Sequence, residues 1–334
     1  MTLMDFREFY NLYYRELEPV LRNLEPERAK ICPKSLGLII LMVILTLFGG
    51  AILLSIISIV SSSFKIIGGF VALLIPIMFA CPLPIMIIFA LIIAYKHNKL
   101  RSKFKQKIVT RILALYDDFY YLDSNKANVL PITLFSDLGL FSYCAKLDDD
   151  IIIGKYKDSE VVINECTIRT TGKNSTVYFK GLILRYKMNK KFNGTTIVVP
   201  NAYLENSIGL ERVELEDVDF MENRVVYSSD QIEARYLLTT AFMERLNNIT
   251  SVFSEVVGRN IVKRYHKDLV PDNLFVIFDS SEIYLFIPTT FDFFDLDLGE
   301  SLLKDPERYY NIYKQLGSVL VMVDYFKLDM KLGL

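Results

Sequence analysis

The sequence predicts an α+β protein in which a two-helix transmembrane hairpin precedes a cytoplasmic, mainly antiparallel β-sheet domain with packed helices. The hairpin follows from two uncharged runs, residues 35–64 and 66–95, since a membrane-spanning helix needs about 20 apolar residues. The sheet follows from short β-branched and aromatic segments bounded by turn residues. Helical patterns lie apart from these segments, which favours α+β over an alternating α/β arrangement.

The predicted organisation has four parts. They are a cytoplasmic amphipathic helical segment (1–34), the transmembrane hairpin (35–95, with spans at about 36–60 and 66–95), a basic juxtamembrane helix (96–124) and the cytoplasmic α+β domain (125–334).

The N-terminal segment carries an apolar stripe at helical spacing. Pro19 lies within this stripe, so a break or kink is predicted there. A surface helix that binds membrane would favour a basic polar face, but this polar face mixes both signs. We therefore favour packing on the protein's own C-terminal domain over membrane or partner binding. The stripe consists of Phe6, Tyr10, Tyr13, Leu17, Leu21 and Leu24.

Neither predicted span contains an ionisable side chain. Ionisable groups inside a bilayer usually mark ion or proton pathways, so their absence argues against a channel. The second span contains Pro76, Pro82 and Pro84, which bend a helix and can open a transport site. A small oligomeric transporter therefore stays an alternative.

Basic residues flanking the two runs set the predicted orientation. Five lie between Arg15 and Lys34, six lie between Lys96 and Lys107, and the connector offers only Lys65. Basic flanks remain on the cytoplasmic side. Both termini are therefore predicted to be cytoplasmic, with the lipid bilayer as the partner of the two spans.

Charge and residue usage exclude several function classes. Residues 112–334 carry 24 basic and 33 acidic side chains, a net charge of −9, which argues against nucleic acid as a partner. The four cysteines form no C-x-x-C pair, and the chain has only two histidines. We predict no cofactor and no metal site, and a reducing compartment.

The C-terminal part predicts strands followed by helices. A capping box that starts at Ser228 or Asp230 predicts a helix from Asp230 to about Asn247, with Ile232, Tyr236, Met243 and Leu246 facing inward. A second helix is predicted from Pro306 to about Met322. The predicted strands are 151–153, 161–163, 175–185, 195–199 and the hairpin 275–278/283–287.

Four stretches resemble one bacterial family, the domain-of-unknown-function 3137 family. The longest is 226–239 (VYSSDQIEARYLLT), and the others are 179–182 (FKGL), 189–200 (NKKFNGTTIVVP) and 283–288 (IYLFIP). The resemblance implies an N-terminal helix, two membrane spans and a bacterial inner-membrane location. It implies no activity, cofactor or catalytic residue. Thr240 departs from the family pattern, which has proline there.

The polar start of the predicted helix is the first candidate functional site. Asp230, Gln231, Glu233 and Arg235 lie within six residues, and Gln231 and Arg235 share a helical face. Caps and helix-face hydrogen bonds explain these residues, and this is the interpretation we favour. A membrane-tethered enzyme that uses the acids of this helix start is the alternative.

A basic-aromatic loop and two acidic runs are further candidates. The loop residues Lys187, Lys190, Lys191 and Phe192 are a candidate surface contact for an anionic lipid or protein partner. The acids of 148–150 are predicted to lie in a solvated loop before a strand, whereas Asp292, Asp295 and Asp297 could supply oxygens to a hard cation. However, the apolar residues between the latter acids favour a segment that buries its apolar side and leaves its acids in water.

We therefore predict an integral membrane protein whose cytoplasmic domain is a non-enzymatic binding, scaffold or sensor module. The oligomeric state and the ligand stay open.

Overall fold

The computed structural model describes residues 4–30, 49, 82–116, 118–123, 128–157, 159–173, 175–188, 191–201, 209–257, 274–289 and 292–326. The predicted span 36–60 lies outside these residues apart from Gly49, as does the predicted second span up to Cys81. Within the described part of the chain, no helix combines the length and the apolarity that a membrane crossing requires.

A nine-stranded sheet dominates one of two units, which comprises the described residues of Met1–Leu17, Gln106–Asp295 and Asp305–Leu334. Every strand pair is antiparallel, which confirms the predicted sheet type. The strand order is β1-β2-β3-β4-β9-β8-β5-β7-β6. The strands are β1 Phe119–Asp123, β2 Cys144–Tyr156, β3 Ser159–Thr170, β4 Val177–Lys187, β5 Thr196–Pro200, β6 Glu211–Val213, β7 Arg224–Ser228, β8 Phe275–Asp279 and β9 Glu282–Pro288.

The helices lie before, between and after the strands. Residues 18–30 are also helical. The others are α1 Phe6–Leu12, α2 Pro82–Leu113, α3 Thr133–Ser136, α4 Val218–Asn223, α5 Gln231–Leu237, α6 Thr240–Val257 and α7 Glu307–Tyr325.

Both faces of the sheet are buried, and β8 shows why. Successive side chains of a strand point to opposite faces. Phe275 belongs to a core cluster that includes Phe141 of the β1–β2 connection, with ring centroids 5.1 Å apart. Phe278 instead contacts Phe242 of α6, at 5.7 Å. The connection therefore covers one face, and α6 contributes to the cover of the other.

α1 packs on α7 through aromatic rings. The Phe9 and Tyr313 centroids lie 5.4 Å apart, and those of Tyr13 and Tyr309 lie 5.8 Å apart. The preferred interpretation, a helix packed on the protein's own domain, is confirmed for these residues. The predicted break at Pro19 is wrong, because the chain stays helical to residue 30, whereas a kink there stays a prediction. A π-helical turn at Tyr13–Leu17 precedes the proline. Such a turn accommodates the missing proline N–H.

The second unit comprises the described residues of Glu18–Lys105 and Leu296–Lys304. Within it, the Glu25 carboxylate accepts hydrogen bonds from Arg28 Nη2 at 2.8 Å and from the backbone N–H of Leu302 at 2.7 Å. Lys103 pairs with Glu27 at 2.7 Å. These contacts tie the helical residues 18–30 to α2 and to the 296–304 segment.

The predicted juxtamembrane helix ends earlier than expected. α2 stops at Leu113, and Phe119 to Asp123 form β1. Phe119 and Tyr121 are buried whereas Tyr120 is exposed, which is the two-residue period of a strand. Pairing with β2 therefore overrides the predicted continuation of the juxtamembrane helix to residue 124.

The helix predicted from Asp230 to Asn247 is two helices, α5 and α6, separated at Leu238 and Thr239. Thr239 caps α6, because its Oγ1 accepts the N–H of Phe242 at 3.3 Å. Thr240 is consequently the first residue of a helix, the position where proline is tolerated. This explains how the family pattern can have proline there.

The break also changes which side chains face inward. Met243 and Leu246 are buried as predicted, but Ile232 is 71% exposed and Tyr236 is 62% exposed. Their assignment to the inward face was wrong. α5 instead buries Glu233, Ala234 and Leu237, because its orientation is independent of that of α6.

Candidate functional site

The start of α5 is built around a single cap. Asp230 Oδ1 accepts the backbone N–H groups of Ile232 and Glu233, both at 3.0 Å. The backbone N–H of Asp230 donates a hydrogen bond to Ser228 Oγ at 3.1 Å. Asp230 is therefore the N-cap, and the alternative start at Ser228 is wrong. In a capping box, the side chain three residues later also accepts the backbone N–H of the N-cap residue. The described contacts of Asp230 do not include this bond, because the Glu233 carboxylate binds Asn193 and Gly194 instead.

Glu233 is directed at the loop between β4 and β5. It is 6% exposed. Its carboxylate accepts the backbone N–H of Asn193 at 2.8 Å and that of Gly194 at 2.8 Å. An ionised carboxylate that accepts backbone N–H groups forms strong, charge-assisted hydrogen bonds. Glu233 thus anchors the loop to α5.

Gly194 allows the loop to approach this closely. A Cβ atom at this position would lie 2.5 Å from Ser229 Oγ. Thr195 and Ser229 exchange hydrogen bonds beside it: the Thr195 N–H donates to Ser229 Oγ at 2.9 Å, and the Ser229 N–H donates to Thr195 O at 3.0 Å. Two stretches of the family resemblance, 189–200 and 226–239, therefore bind each other.

A second pair of resemblance stretches is joined in the same way. Gly181 of β4 pairs with Pro288 of β9. Its φ of +153° lies in a region that favours glycine. A Cβ atom there would lie 2.2 Å from Ile287 O. The close approach of the two backbones explains the glycine.

Gln231 and Arg235 share a helical face, as predicted, and both bind the β6 segment. Gln231 Nε2 donates to Glu211 Oε2 at 3.2 Å. Arg235 donates to Gln231 O at 2.9 Å and to Glu214 O at 3.3 Å. The four polar residues of the helix start are thus engaged in capping or in joining α5 to its neighbours.

The lysine loop is only partly a surface feature. Lys187 pairs with Glu160 at 3.6 Å, and Lys191 is exposed. Lys190 lies outside the described residues. Phe192 is 3% exposed, and its ring centroid lies 5.7 Å from that of Phe278. The role of Phe192 as a surface contact is therefore wrong, because burial against β8 removes its ring from solvent. A role for the lysines stays a prediction.

Three carboxylates from separate segments lie together on the sheet. Oxygens of Asp149, Glu165 and Asp292 fall within 4.8 Å of one another. A register shift in β2 beside Asp149 accompanies this arrangement. Glu165 accepts the N–H of Phe293 at 3.0 Å, and Lys180 pairs with Asp292 at 3.3 Å. These contacts indicate that the three carboxylates hold residues 292–294 against the sheet.

The acidic segment after Asp292 follows the favoured interpretation. Asp292, Asp295 and Asp297 are exposed, and Asp297 caps its own turn by accepting the Gly299 N–H at 2.7 Å. The apolar residues between them are buried: Phe293, Phe294, Leu296 and Leu298.

Sequence reasoning missed Glu165, which looks like an ordinary strand residue until its neighbours are known.

Cys166 is a buried thiol. Burial raises the pKa of this thiol to about 12, and the positive charge of Lys146 does not offset the effect. The thiol is therefore protonated at neutral pH, whereas the thiolate is the nucleophilic form. Cys166 belongs to the core cluster on one face of the sheet.

The comparison with known families covers the segment that contains these motif contacts. Residues 177–328 match the family described as "Protein of unknown function (DUF3137)". The predicted resemblance is thereby confirmed over this segment. The matched segment contains both pairs of motif contacts, Gly181–Pro288 and Gly194–Glu233. The stretches on which the resemblance rests therefore include contacts that hold the sheet and α5 together.

No curated protein is significantly similar to the chain. A solved structure that resembles it is that of the mycobacterial trehalose monomycolate transport factor A, TtfA, with 8% sequence identity and a TM-score of 0.32. The match covers 66% of this chain and 95% of that chain. A TM-score this low carries no argument.

Proposed function

We propose that this protein is a membrane-tethered, non-enzymatic binding module and that α5 presents its docking surface. The observation that carries the proposal is the exposure of two large apolar side chains one helical turn apart. Ile232 and Tyr236 are 71% and 62% exposed. We call these two residues the α5 surface.

The polar residues around the α5 surface support binding rather than catalysis. Asp230 caps the helix, and Glu233 binds the backbone of the β4–β5 loop. A general acid or base must reach a proton of its substrate, but these carboxylates are occupied by backbone N–H groups. The polar motif therefore fixes α5 in place.

Fixing the helix favours affinity. Side chains that are ordered before binding lose less conformational entropy when a partner docks. Gln231 and Arg235 bind the β6 segment on the same exposed side of α5. The α5 surface is thereby held at one edge of the sheet, next to the last strand in the order, β6.

The membrane tether is supported by the two uncharged runs and by the exposed turns of α2. Ile88, Leu91, Ile92 and Tyr95 are exposed, and their spacing places them on one side of the helix. Seven basic residues and no acidic ones follow between 96 and 111. An apolar helix that passes into a basic collar is typical of a cytoplasmic membrane flank. The proposed location is the bacterial inner membrane, with both termini in the cytoplasm.

Site-specific photocrosslinking in native membranes tests the docking surface. A photoreactive residue at Ile232 or Tyr236 of the intact protein is expected to give a discrete protein adduct. The matched control is the exposed Glu307 at the start of α7, where no such adduct is expected. Equal labelling at all three positions would contradict the proposal.

A further inference from the structure

We infer that the α5 surface receives a positively charged, amphipathic helical segment of a partner protein. The inference rests on the proposed function and adds the chemistry of the partner. It comes from the charges that border the two apolar side chains.

Acidic side chains border the α5 surface where α5 meets β6. Glu211 Oε2 lies 3.2 Å from Gln231 Nε2, and the backbone oxygen of Glu214 lies 3.3 Å from Arg235 Nη2. Gln231 and Arg235 precede Ile232 and Tyr236 directly in the helix. Glu211 and Glu214 are exposed, so their negative charges face the solvent in the segment that Gln231 and Arg235 contact.

The chain that follows Glu214 stays acidic as far as α4. Residues 211–222 contain six acidic side chains and one basic side chain, Arg212. Val218 within this run is 69% exposed, which adds a further apolar side chain. The run therefore combines negative charge with exposed apolar surface.

The basic residues of this region compensate part of that charge. Arg224 is 5% exposed and stacks over the Phe220 ring at 5.0 Å, so its charge is withdrawn from the surface. Arg235 is exposed and keeps its positive charge, because its two acceptors are uncharged carbonyl oxygens. Arg212 pairs with Glu214 at 2.8 Å. Six acidic side chains of residues 211–222 therefore stand against Arg212 and Arg235, and the region keeps a surplus of negative charge.

The shape of the α5 surface suits a helix. Side chains four residues apart form a ridge that packs into the groove of a facing helix, and helix-in-groove recognition uses anchors at this spacing. The negative border then favours lysine and arginine beside the apolar stripe of the partner. An anionic bilayer would be repelled by the same border, so a protein segment is the occupant.

A designed peptide pair tests the inference on the intact protein in neutral detergent. One helical peptide carries leucine at helical spacing with lysine elsewhere, and its match has glutamate in place of lysine. Fluorescence anisotropy is corrected for binding to empty micelles. We expect the lysine peptide to bind at least tenfold more tightly than the glutamate peptide, with an affinity that falls as salt increases.

Variants locate the binding. The I232S/Y236S variant is expected to weaken the lysine peptide at least tenfold, and thermal unfolding checks that its fold is retained. E211Q/E214Q is expected to weaken binding severalfold and to reduce its salt dependence. The control D305N/E307Q removes two charges at the N-terminal end of α7. The other end of that helix leads to Phe326, which contacts Phe242 of α6 and lies about 27 Å away along the helix. This control should leave binding unchanged.

Three results would overturn the inference. The first is an equal affinity for both peptides. The second is binding of the lysine peptide that the I232S/Y236S variant leaves unchanged. The third is a sedimentation mass that falls by half in I232S/Y236S, because a second copy of the chain would then be the occupant. Specific adducts at 232 and 236 without a preference for the lysine peptide would refute the charge assignment alone. Absence of those adducts would refute the proposed function itself.

Discussion

Glu233 of α5 binds the loop before β5 at Gly194: Glu233 Oε2 accepts the backbone N–H of Gly194 at 2.8 Å. The two residues belong to different stretches of the family resemblance. Their contact orients α5, and with it the exposed side chains Ile232 and Tyr236.

Replacing Glu233 by alanine should destabilise the protein. The change leaves the N–H groups of Asn193 and Gly194 without their acceptor, which costs about 1–3 kcal/mol. Glu233→Gln keeps one acceptor oxygen and should lose about half as much. Chemical unfolding of the intact protein measures both changes. A loss for E233A no larger than that for the surface control E307Q would show that the contact is dispensable.

Gly194→Ala should destabilise by about 1–3 kcal/mol through overpacking, because its Cβ would meet Ser229 Oγ at 2.5 Å. A double-mutant cycle with Ser229→Ala tests the cause. Since the two changes share one contact, their effects on the free energy of unfolding should be non-additive. Strict additivity would place the strain elsewhere.

Substitutions on α5 and α6 should differ sharply. Tyr236→Ser alters a side chain that is 62% exposed, so the free energy of unfolding should change by no more than about 0.5 kcal/mol. Leu246→Ala alters a fully buried side chain and should cost about 2–5 kcal/mol. Thermal unfolding of both variants gives the comparison. A large loss for Y236S would mean that α5 is covered.

Glu25 should contribute to stability at neutral pH but not in acid. Burial opposes its ionisation, but hydrogen bonds from Arg28 and from the Leu302 N–H outweigh burial and lower its pKa below the ordinary value of 4.5. The contribution is therefore complete above about pH 4.5 and is lost as the pH falls through the folded-state pKa. Unfolding of Glu25→Gln across pH should show a smaller decline in acid than the natural sequence. Identical acid profiles would exclude Glu25 as a source.

Topology can be tested with reporter fusions. Because eleven basic residues flank the two uncharged runs and one lies between them, a reporter at Ser63 and one at Leu334 should report opposite compartments. The fusion at Leu334 should give a cytoplasmic signal. An external signal there would reverse the proposed orientation.

The sequence alone located strands β2, β3, β4 and β5, the 275–287 hairpin and the helix that begins after Pro306. These elements carry local signals: alternating or continuous β-branched and aromatic residues, turn residues at fixed positions, and helical spacing. It also predicted the family resemblance, which the match over residues 177–328 confirms. The two uncharged runs indicate membrane spans by the same local logic.

Tertiary structure decided what local periodicity leaves open. The juxtamembrane helix is predicted to reach residue 124, but pairing with β2 makes Phe119–Asp123 a strand. Periodicity placed Tyr236 inside, whereas the break at Thr239 turned it outward. Glu233 looked like a catalytic candidate until the backbone of Gly194 was found within hydrogen-bonding distance. The β1 strand and the Glu233 contact depend on partners distant in sequence, because burial and hydrogen bonding are properties of packed neighbours rather than of the segment itself.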